Sequence, residues 1–187
     1  MTQHFPGSEF PNIPGDPLVL EPLQKALLAM TYGVHIIGST SGGNEHNLMI
    51  ADWVMQVSFQ PRLVAVSIEN DARTLRFVEQ TKGFTVNLLH QLDGMELARA
   101  VVMPSESKKI KGRSASFSEE VHDKLDGLAH SFAKNGSPIL ENALAWYACD
   151  VRQLIPTGDH TLVIGEANEG ALLRSGDALT EKELGWE

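Results

Sequence analysis

The alternation of apolar and polar positions predicts a chain built mainly of short strands. The segments "VHIIGST" and "FTVNLL" each predict a strand, and "ALAWYACDVRQLI" and "HTLVIGEANEGALL" predict a hairpin around the turn "PTGD". The run "NLMIADWVMQVSFQPRLVAVSI", residues 47–68, predicts two more strands joined at "FQPR". Its first half lacks clean alternation, because polar residues such as Asn47, Asp52 and Gln56 interrupt the apolar positions. Core filling alone does not explain those polar groups.

Three segments instead carry apolar residues at helical spacing. The first begins at Pro22 with Leu23, Leu27 and Met30 on one side and Gly33 as its stop. In the second, "ARTLRFVEQTKG", we expect Leu75 and Val78 to face inward and Gly83 to form the cap. The third, "LDGMELARAVVM", places Leu92, Met95 and Ala98 or Arg99 on one side and ends at Pro104. The polar sequence of residues 104–138 predicts loops with short helices.

The order of these elements predicts a mainly β fold with a few helices. Five or six strands, mostly adjacent in sequence, favour an antiparallel barrel over a doubly wound sheet. The four prolines within residues 1–20 exclude continuous helix or strand pairing there. We therefore expect an extended arm over residues 1–20, followed by one domain over residues 21–187.

Composition narrows the classes of partner. The 187 residues are 42% hydrophobic and 21% charged, which is typical of a soluble globular protein. A net charge of −9 argues against a broad nucleic-acid surface. Neither a signal peptide nor a membrane-spanning run is visible, so we expect a cytoplasmic protein that does not bind membranes. The single cysteine, Cys149, lies on a predicted strand, and we expect a buried, inert thiol.

Several standard site motifs are absent from the sequence. It contains neither G-x-G-x-x-G after a strand nor the phosphate loop G-x-x-x-x-G-K-[ST]. The seven histidines show neither H-x-x-x-H nor H-x-H spacing, so we expect no metal site. No G-x-S-x-G elbow supports a serine hydrolase.

Three features could nevertheless meet a ligand. His160 opens a strand after a Gly-Asp turn, where it could contact a ligand or simply cap the turn with Asp159. Arg73 and Thr74 begin a helix after a strand, a position suited to a phosphate; the alternative is a helix cap with a surface arginine. The basic cluster at residues 108–113 could attract an anion or form a solvated loop; it comprises Lys108, Lys109, Lys111 and Arg113.

Four blocks taken together resemble the flavin reductase-like, FMN-binding split-barrel family. They are "NLMIADWVMQVSFQPRLVAVSIEN", "FTVNLL", "GSPILENALAWYACDV" and "TGDHTLVIGEA", in the order in which that family has them, within residues 23–175. The resemblance implies an antiparallel split barrel that forms a homodimer and binds FMN, or sometimes FAD, near the dimer interface. It also implies NAD(P)H-dependent reduction of flavin, often for a partner monooxygenase.

The resemblance also implies roles for individual residues. The isoalloxazine ring would lie against residues 47–58, with the phosphate near Arg73 and Thr74 and with His160 as the catalytic residue beside flavin and nicotinamide. The residues expected to contact the flavin on that strand are Asn47, Met49, Ile50, Ala51, Asp52, Trp53 and Ser58. Met49, Ile50, Ala51 and Trp53 would form the wall, and Ser58 would contact the flavin tail.

Two positions depart from the family pattern, and two other functions remain open. Ile50 and Asp52 stand where many members have Thr and Ser, so Asp52 could accept the flavin N3–H or point away from the site. One alternative is a flavoredoxin-like electron carrier that holds FMN tightly and exchanges electrons with another redox protein. The other is a flavin-binding module without turnover, which a weakening effect of Asp52 would favour.

Overall fold

A computed structural model describes residues 22–102 and 124–184. Within these residues the chain forms four helices and nine strands. The elements up to residue 102 are α1 (Pro22–Leu28), β1 (His35–Thr40), β2 (His46–Ala51), β3 (Val54–Ser58), β4 (Leu63–Glu69), α2 (Arg73–Thr81), β5 (Gly83–Leu88) and α3 (Gly94–Val101). After residue 123 they are β6 (His130–Phe132), β7 (Pro138–Leu140), β8 (Ala145–Thr157), β9 (His160–Leu172) and α4 (Glu181–Leu184).

Seven of the described strands form one antiparallel sheet, which confirms the predicted mainly β class. Its strand order is β2-β1-β5-β8-β9-β4-β3, and β6 and β7 form a separate hairpin. The edge strands β2 and β3 follow each other in sequence although they lie at opposite ends of that order. Residues of β2 also contact β4, so the sheet curls until its two ends approach each other.

Two apolar clusters hold the sheet. One cluster fills the space between the curled sheet and α2, and includes Ile37, Val66, Val78, Phe84 and Val163. The other packs the opposite face of β1 and β2 against α3, and includes Ile36, Leu48, Leu97 and Val101. Opposite faces of the same two strands are therefore both buried, as period-2 side chains require.

The segment 47–68 forms three strands, so the prediction of two strands was wrong. Asp52 and Trp53 separate β2 from β3, and the backbone N–H of Val54 donates to the carbonyl of Asp52 at 2.8 Å. The irregular pattern in the sequence thus marks a change of direction between two edges of the sheet. Neither residue is Gly or Pro, and a single Asp inside an apolar run is too weak a turn signal to mark the corner.

The helices agree with the sequence in position and differ at their ends. Leu75 and Val78 are buried on α2, as predicted, but the residue at its C-cap is Lys82, with φ +57°, and Gly83 already belongs to β5. Helix α3 begins at Gly94, so Leu92 precedes it and is exposed. Helix α1 forms where predicted but buries none of its residues.

Some predictions lie outside the described residues. They include the extended arm at residues 1–20, the basic cluster at residues 108–113 and the helix stop at Pro104. Among the described residues, no helix combines the length and apolarity needed to span a membrane.

Gly165 shows that one motif glycine serves packing. A Cβ atom at this position would lie 2.7 Å from the ring of Phe84 and 2.8 Å from the Cβ of Cys149. Both neighbours are buried in the core, so neither can move aside without cost. The glycine of the "HTLVIGEA" block therefore allows β9 to cross the core closely.

Candidate functional site

No described side chain makes a cap hydrogen bond at the N-terminus of α2. Ala72 occupies the N-cap position in an extended conformation, and the first turn contains no acidic residue. The first N–H groups of a helix and its positive dipole end attract anions when no side chain neutralises them. This end of α2 is therefore electrostatically suited to a phosphate.

Thr74 is oriented toward β2 and away from the helix cap. Asn47 Nδ2 on β2 donates to Thr74 Oγ1 at 2.8 Å, and both residues are buried. A buried amide donor with a hydroxyl acceptor fixes the first turn of α2 against the edge strand. Two residues that the sequence singled out for flavin contact are thus in contact with each other.

Arg73 is largely buried, which argues against the alternative of a surface arginine. Its side chain is 15% exposed, and its guanidinium lies 5.0 Å from the ring centroid of Phe77. On its other side, Arg73 Nη2 pairs with Glu45 Oε1 at 3.3 Å. The aromatic ring beneath the guanidinium holds it at the start of the helix.

Lys124 adds a second cation that the sequence did not indicate. Its Nζ donates to the backbone carbonyl of Leu48 at 2.9 Å, and no ion pair to Lys124 occurs among the described residues. Burial, and then the nearby charge of Arg73, lower the pKa of Lys124 to about 8. An ammonium in this setting gains stability from an added anion, because an opposite charge restores its charged form.

The edge of β2 that faces away from β1 presents backbone polar groups. The Leu48 carbonyl points to Lys124, hence away from β1, and none of the described strands pairs with β2 on that side. Since the backbone groups of alternate residues point the same way, Ile50 directs its N–H and C=O to the same edge. This edge, which is open as far as the described strands go, therefore offers hydrogen-bond donors and acceptors to a ligand.

His160 and Trp53 lie together at the other end of this region. Their ring centroids are 5.1 Å apart at an interplanar angle of 39°. His160 Nδ1 also lies 2.7 Å from Asp159 Oδ1, the partner that the turn-capping interpretation named. The histidine thus has the predicted turn contact and, in addition, an aromatic neighbour that is half exposed.

Asn70 connects the turn of His160 to the loop before α2. Its backbone N–H donates to the carbonyl of Asp159 at 3.0 Å, and its Nδ2 donates to the carbonyl of Gly158 at 2.9 Å. Its Oδ1 accepts from Thr161 Oγ1 at 2.8 Å. Three hydrogen bonds therefore hold the β8–β9 turn to the loop that leads to Arg73.

Asp52 belongs to a different group of titratable residues. Burial and then the charge of Asp52 raise the pKa of Glu181, while the Tyr32 N–H, which donates to Glu181 Oε1 at 3.1 Å, opposes the rise. Burial lowers the pKa of His35, and the charge of Asp52 partly offsets that effect. The carboxylate of Asp52 thus acts on the region between β1 and α4.

The remaining predicted residues are spread over both faces of β2 and along β3. Met49 and Ala51 pack into the cluster under α2, whereas Ile50 packs against the cluster on the opposite face. Ser58 lies opposite Leu63 at the far end of β4 from α2. In the structure Asn47 contacts Thr74 and Trp53 contacts His160, but Ser58 lies away from Arg73.

Three residues near this region gave no usable signal in the sequence. Lys124 reaches β2 from a polar segment without periodicity, Asn70 follows a strand as many loop residues do, and Glu45 lies in the "SGGNEH" turn. Their contacts join elements distant in sequence, which local patterns do not encode. Among the described residues, no cluster of three His, Cys, Asp or Glu side chains could hold a metal ion.

Comparisons with known proteins agree with the sequence resemblance. The family model for the flavin reductase like domain matches residues 27–180. The high molecular weight rubredoxin of Moorella thermoacetica is 29% identical over 83% of this chain, which spans 62% of that protein. The ferric-chelate reductase (NAD(P)H) of Archaeoglobus fulgidus is 27% identical, over 83% of this chain and 85% of that protein. The structure of the flavin reductase PheA2 in its native state superposes with a TM-score of 0.66 at 26% identity, over 84% of this chain and 90% of that chain.

Proposed function

The chain belongs to the flavin reductase like domain family, and on that basis we propose that it is an NAD(P)H:flavin oxidoreductase that reduces FMN. The observation that carries this proposal is the pair of cations, Arg73 and Lys124, beside the open edge of β2 and the uncapped end of α2. A flavin phosphate fits the cations, and the backbone edge fits the pyrimidine end of the ring. The names of the two reductases compared above support the same chemistry.

Each group in the region has a distinct role in this reaction. A bound flavin would supply the hydride-accepting centre for a nicotinamide, so no side chain would need to act as a nucleophile. Arg73, Lys124 and the first turn of α2 would hold the phosphate, and the Asn47–Thr74 hydrogen bond keeps that turn against β2. Trp53 and His160 would line the nicotinamide side and orient the two reactants, and Asp159 would orient His160.

We propose that two copies of the chain form a split-barrel dimer. Trp53, Met55, Val57 and Phe59 are exposed along edge strand β3 and the residues beside it. Exposed apolar groups in a row are typical of an interface, and a second copy of the chain would cover them. Trp53 also touches His160, so the same contact would close the nicotinamide side. Light scattering at micromolar concentration should give twice the monomer mass; a monomer would contradict the dimer.

Flavin turnover by the purified chain tests the function. With NADH or NADPH and increasing FMN, we expect steady nicotinamide oxidation whose rate rises with free flavin and saturates. Reduction that stops after one equivalent of bound FMN would instead indicate the electron carrier, and binding without reduction would indicate the non-catalytic module. FAD run in parallel measures the preference between the flavins, and a flavin-dependent monooxygenase is the partner we propose for the reduced product.

A further inference from the structure

The carboxylate of Glu45 pairs with the Arg73 guanidinium, to which the flavin phosphate would bind. Its Oε1 lies 3.3 Å from Arg73 Nη2, in the turn that leads into β2. The Arg73 side chain is 15% exposed and that of Glu45 is 67% exposed. The arginine is therefore fixed in the protein, and the carboxylate approaches it from solvent.

The turn around Glu45 is held by its backbone and leaves the side chain able to move. The Glu45 carbonyl accepts hydrogen bonds from Ser41 N at 3.0 Å, Thr40 Oγ1 at 3.2 Å and Ser41 Oγ at 3.4 Å. None of these contacts involves the carboxylate. Rotation about the side-chain bonds alone can thus remove the carboxylate from Arg73, with no rearrangement of the loop.

Arg73 and Lys124 together carry two positive charges that lie close enough to interact. Glu45 supplies one negative charge to Arg73, whereas the Lys124 ammonium donates to the Leu48 carbonyl and has no carboxylate partner among the described residues. A phosphate dianion would neutralise both cations and would repel the carboxylate of Glu45 if it stayed. The binding of phosphate and the Glu45–Arg73 contact therefore oppose each other.

We propose that Glu45 is a built-in competitor for the flavin phosphate, which weakens the binding of FMN and keeps it an exchangeable substrate. The inference rests on the proposed function, because it requires the phosphate of the flavin to meet Arg73. Glu45 should therefore distinguish between the two flavins. Riboflavin has the same ring but no phosphate, so Glu45 should weaken the binding of FMN and leave the binding of riboflavin unchanged. An exchangeable flavin is what a reductase that releases its reduced product requires, and a carrier does not require it.

The test compares E45Q with the parent chain, using FMN and riboflavin as separate ligands. Quenching of flavin fluorescence gives the Kd of each flavin. We expect E45Q to bind FMN about two- to fivefold more tightly, the factor that corresponds to loss of one exposed ion pair, with riboflavin unchanged. The gain should shrink in high salt, because added ions screen the exposed carboxylate.

E79Q is the matched control. Glu79 is exposed on α2 and its removal changes the net charge by the same amount. We expect E79Q to leave both Kd values at the parent level, and equal melting temperatures of the three proteins to show that folding is unaffected. An equal gain for FMN in E79Q would overturn the role of the Glu45 contact.

The outcomes separate the inference from the proposed function. If the parent binds FMN and E45Q binds it no more tightly, the competitor role is wrong and the reductase proposal stands. A gain that is equal for riboflavin would also overturn the competitor role, since riboflavin has no phosphate. If the parent binds neither flavin at saturation, both the function and the inference fall.

Discussion

The ring of His160 packs against the indole of Trp53, with centroids 5.1 Å apart. One residue opens β9 and the other connects β2 to β3, so the contact joins the tip of the long hairpin to the corner between the two edge strands. Asp159 Oδ1 lies 2.7 Å from Nδ1 of the same imidazole. The imidazole thus contacts both a carboxylate and an aromatic ring.

The first prediction concerns this imidazole. In H160A the rate of NADH oxidation at saturating FMN should fall about tenfold, the order expected when reactants lose orientation, while the Kd for FMN changes little. The reason is that His160 lies beside Trp53, whereas the proposed phosphate cations lie at the start of α2. Steady-state kinetics with separate FMN titration measure the two effects.

D159N serves as the companion variant for His160. It keeps the size of the side chain but removes the charge that faces Nδ1, so a smaller loss of the same rate is expected. Equal oxidation rates in H160A and the parent would remove His160 from the mechanism.

A second prediction concerns the pH dependence of FMN binding. Because the pKa of Lys124 is lowered to about 8, its ammonium is present below that pH and is lost as the pH rises through it. The affinity for FMN should therefore be highest near pH 7 and fall above pH 8. The phosphate does not cause this fall, because its second pKa is about 6 and it is ionised over this pH range. Riboflavin, which lacks the phosphate, should bind equally across the same range.

Lys124 should affect stability in the opposite direction. Its unfolded pKa of 10.5 exceeds the folded value of about 8, so between these values the unfolded chain binds the extra proton. Its contribution to the free energy of unfolding then rises with pH over that window.

K124M should remove the fall in FMN affinity above pH 8, whereas K134M, which changes an exposed lysine, should retain it. A pH dependence retained in K124M would exclude Lys124 as its source.

A third prediction concerns the buried hydrogen bond of β2 to α2. T74V keeps the shape of the side chain but removes the acceptor for Asn47 Nδ2. The free energy of unfolding should fall by about 1–3 kcal/mol, the usual cost of taking one partner from a buried polar pair. Urea denaturation measures the loss. T74S keeps the hydroxyl and should lose less; equal losses in T74S and T74V would show that the methyl group, and not the hydrogen bond, is responsible.

The fourth prediction concerns the thiol. Cys149 is fully buried, as the sequence predicted, and burial raises its pKa to about 12. Because the thiolate is the reactive form, a thiol reagent at pH 8 should not label the folded protein within the time that labels the chain in urea. Fast labelling of the folded chain would show that β8 opens.

The strands were predictable because their side chains alternate against a core. The corner at residues 52 and 53 was not predictable. Asp52 alone is a weak turn signal, and the position of the corner depends on which edge of the sheet each flanking strand joins. Lys82 shows a similar limit: the sequence offered Gly83 for the helix cap, but Gly83 lies inside β5, where an added Cβ would lie 3.0 Å from the Asn135 side chain. Tertiary packing decided between two adjacent residues.

At the candidate site, the sequence supplied Arg73, Thr74 and His160 from their positions at element ends. It could not supply Lys124, whose role depends on reaching the carbonyl of Leu48 across the fold. It also could not supply the pairing of Glu45 with Arg73, because their charges alone do not indicate a contact. Local patterns identify which residue begins a helix or strand, and long-range packing decides what that residue meets.

The hydrogen bonds of Asn70 have a mechanical consequence. They make one link between the loop that ends at Arg73 and the turn that carries His160. A displacement of either the loop or the turn would therefore be passed to the other, and the two ends of the candidate site would shift together.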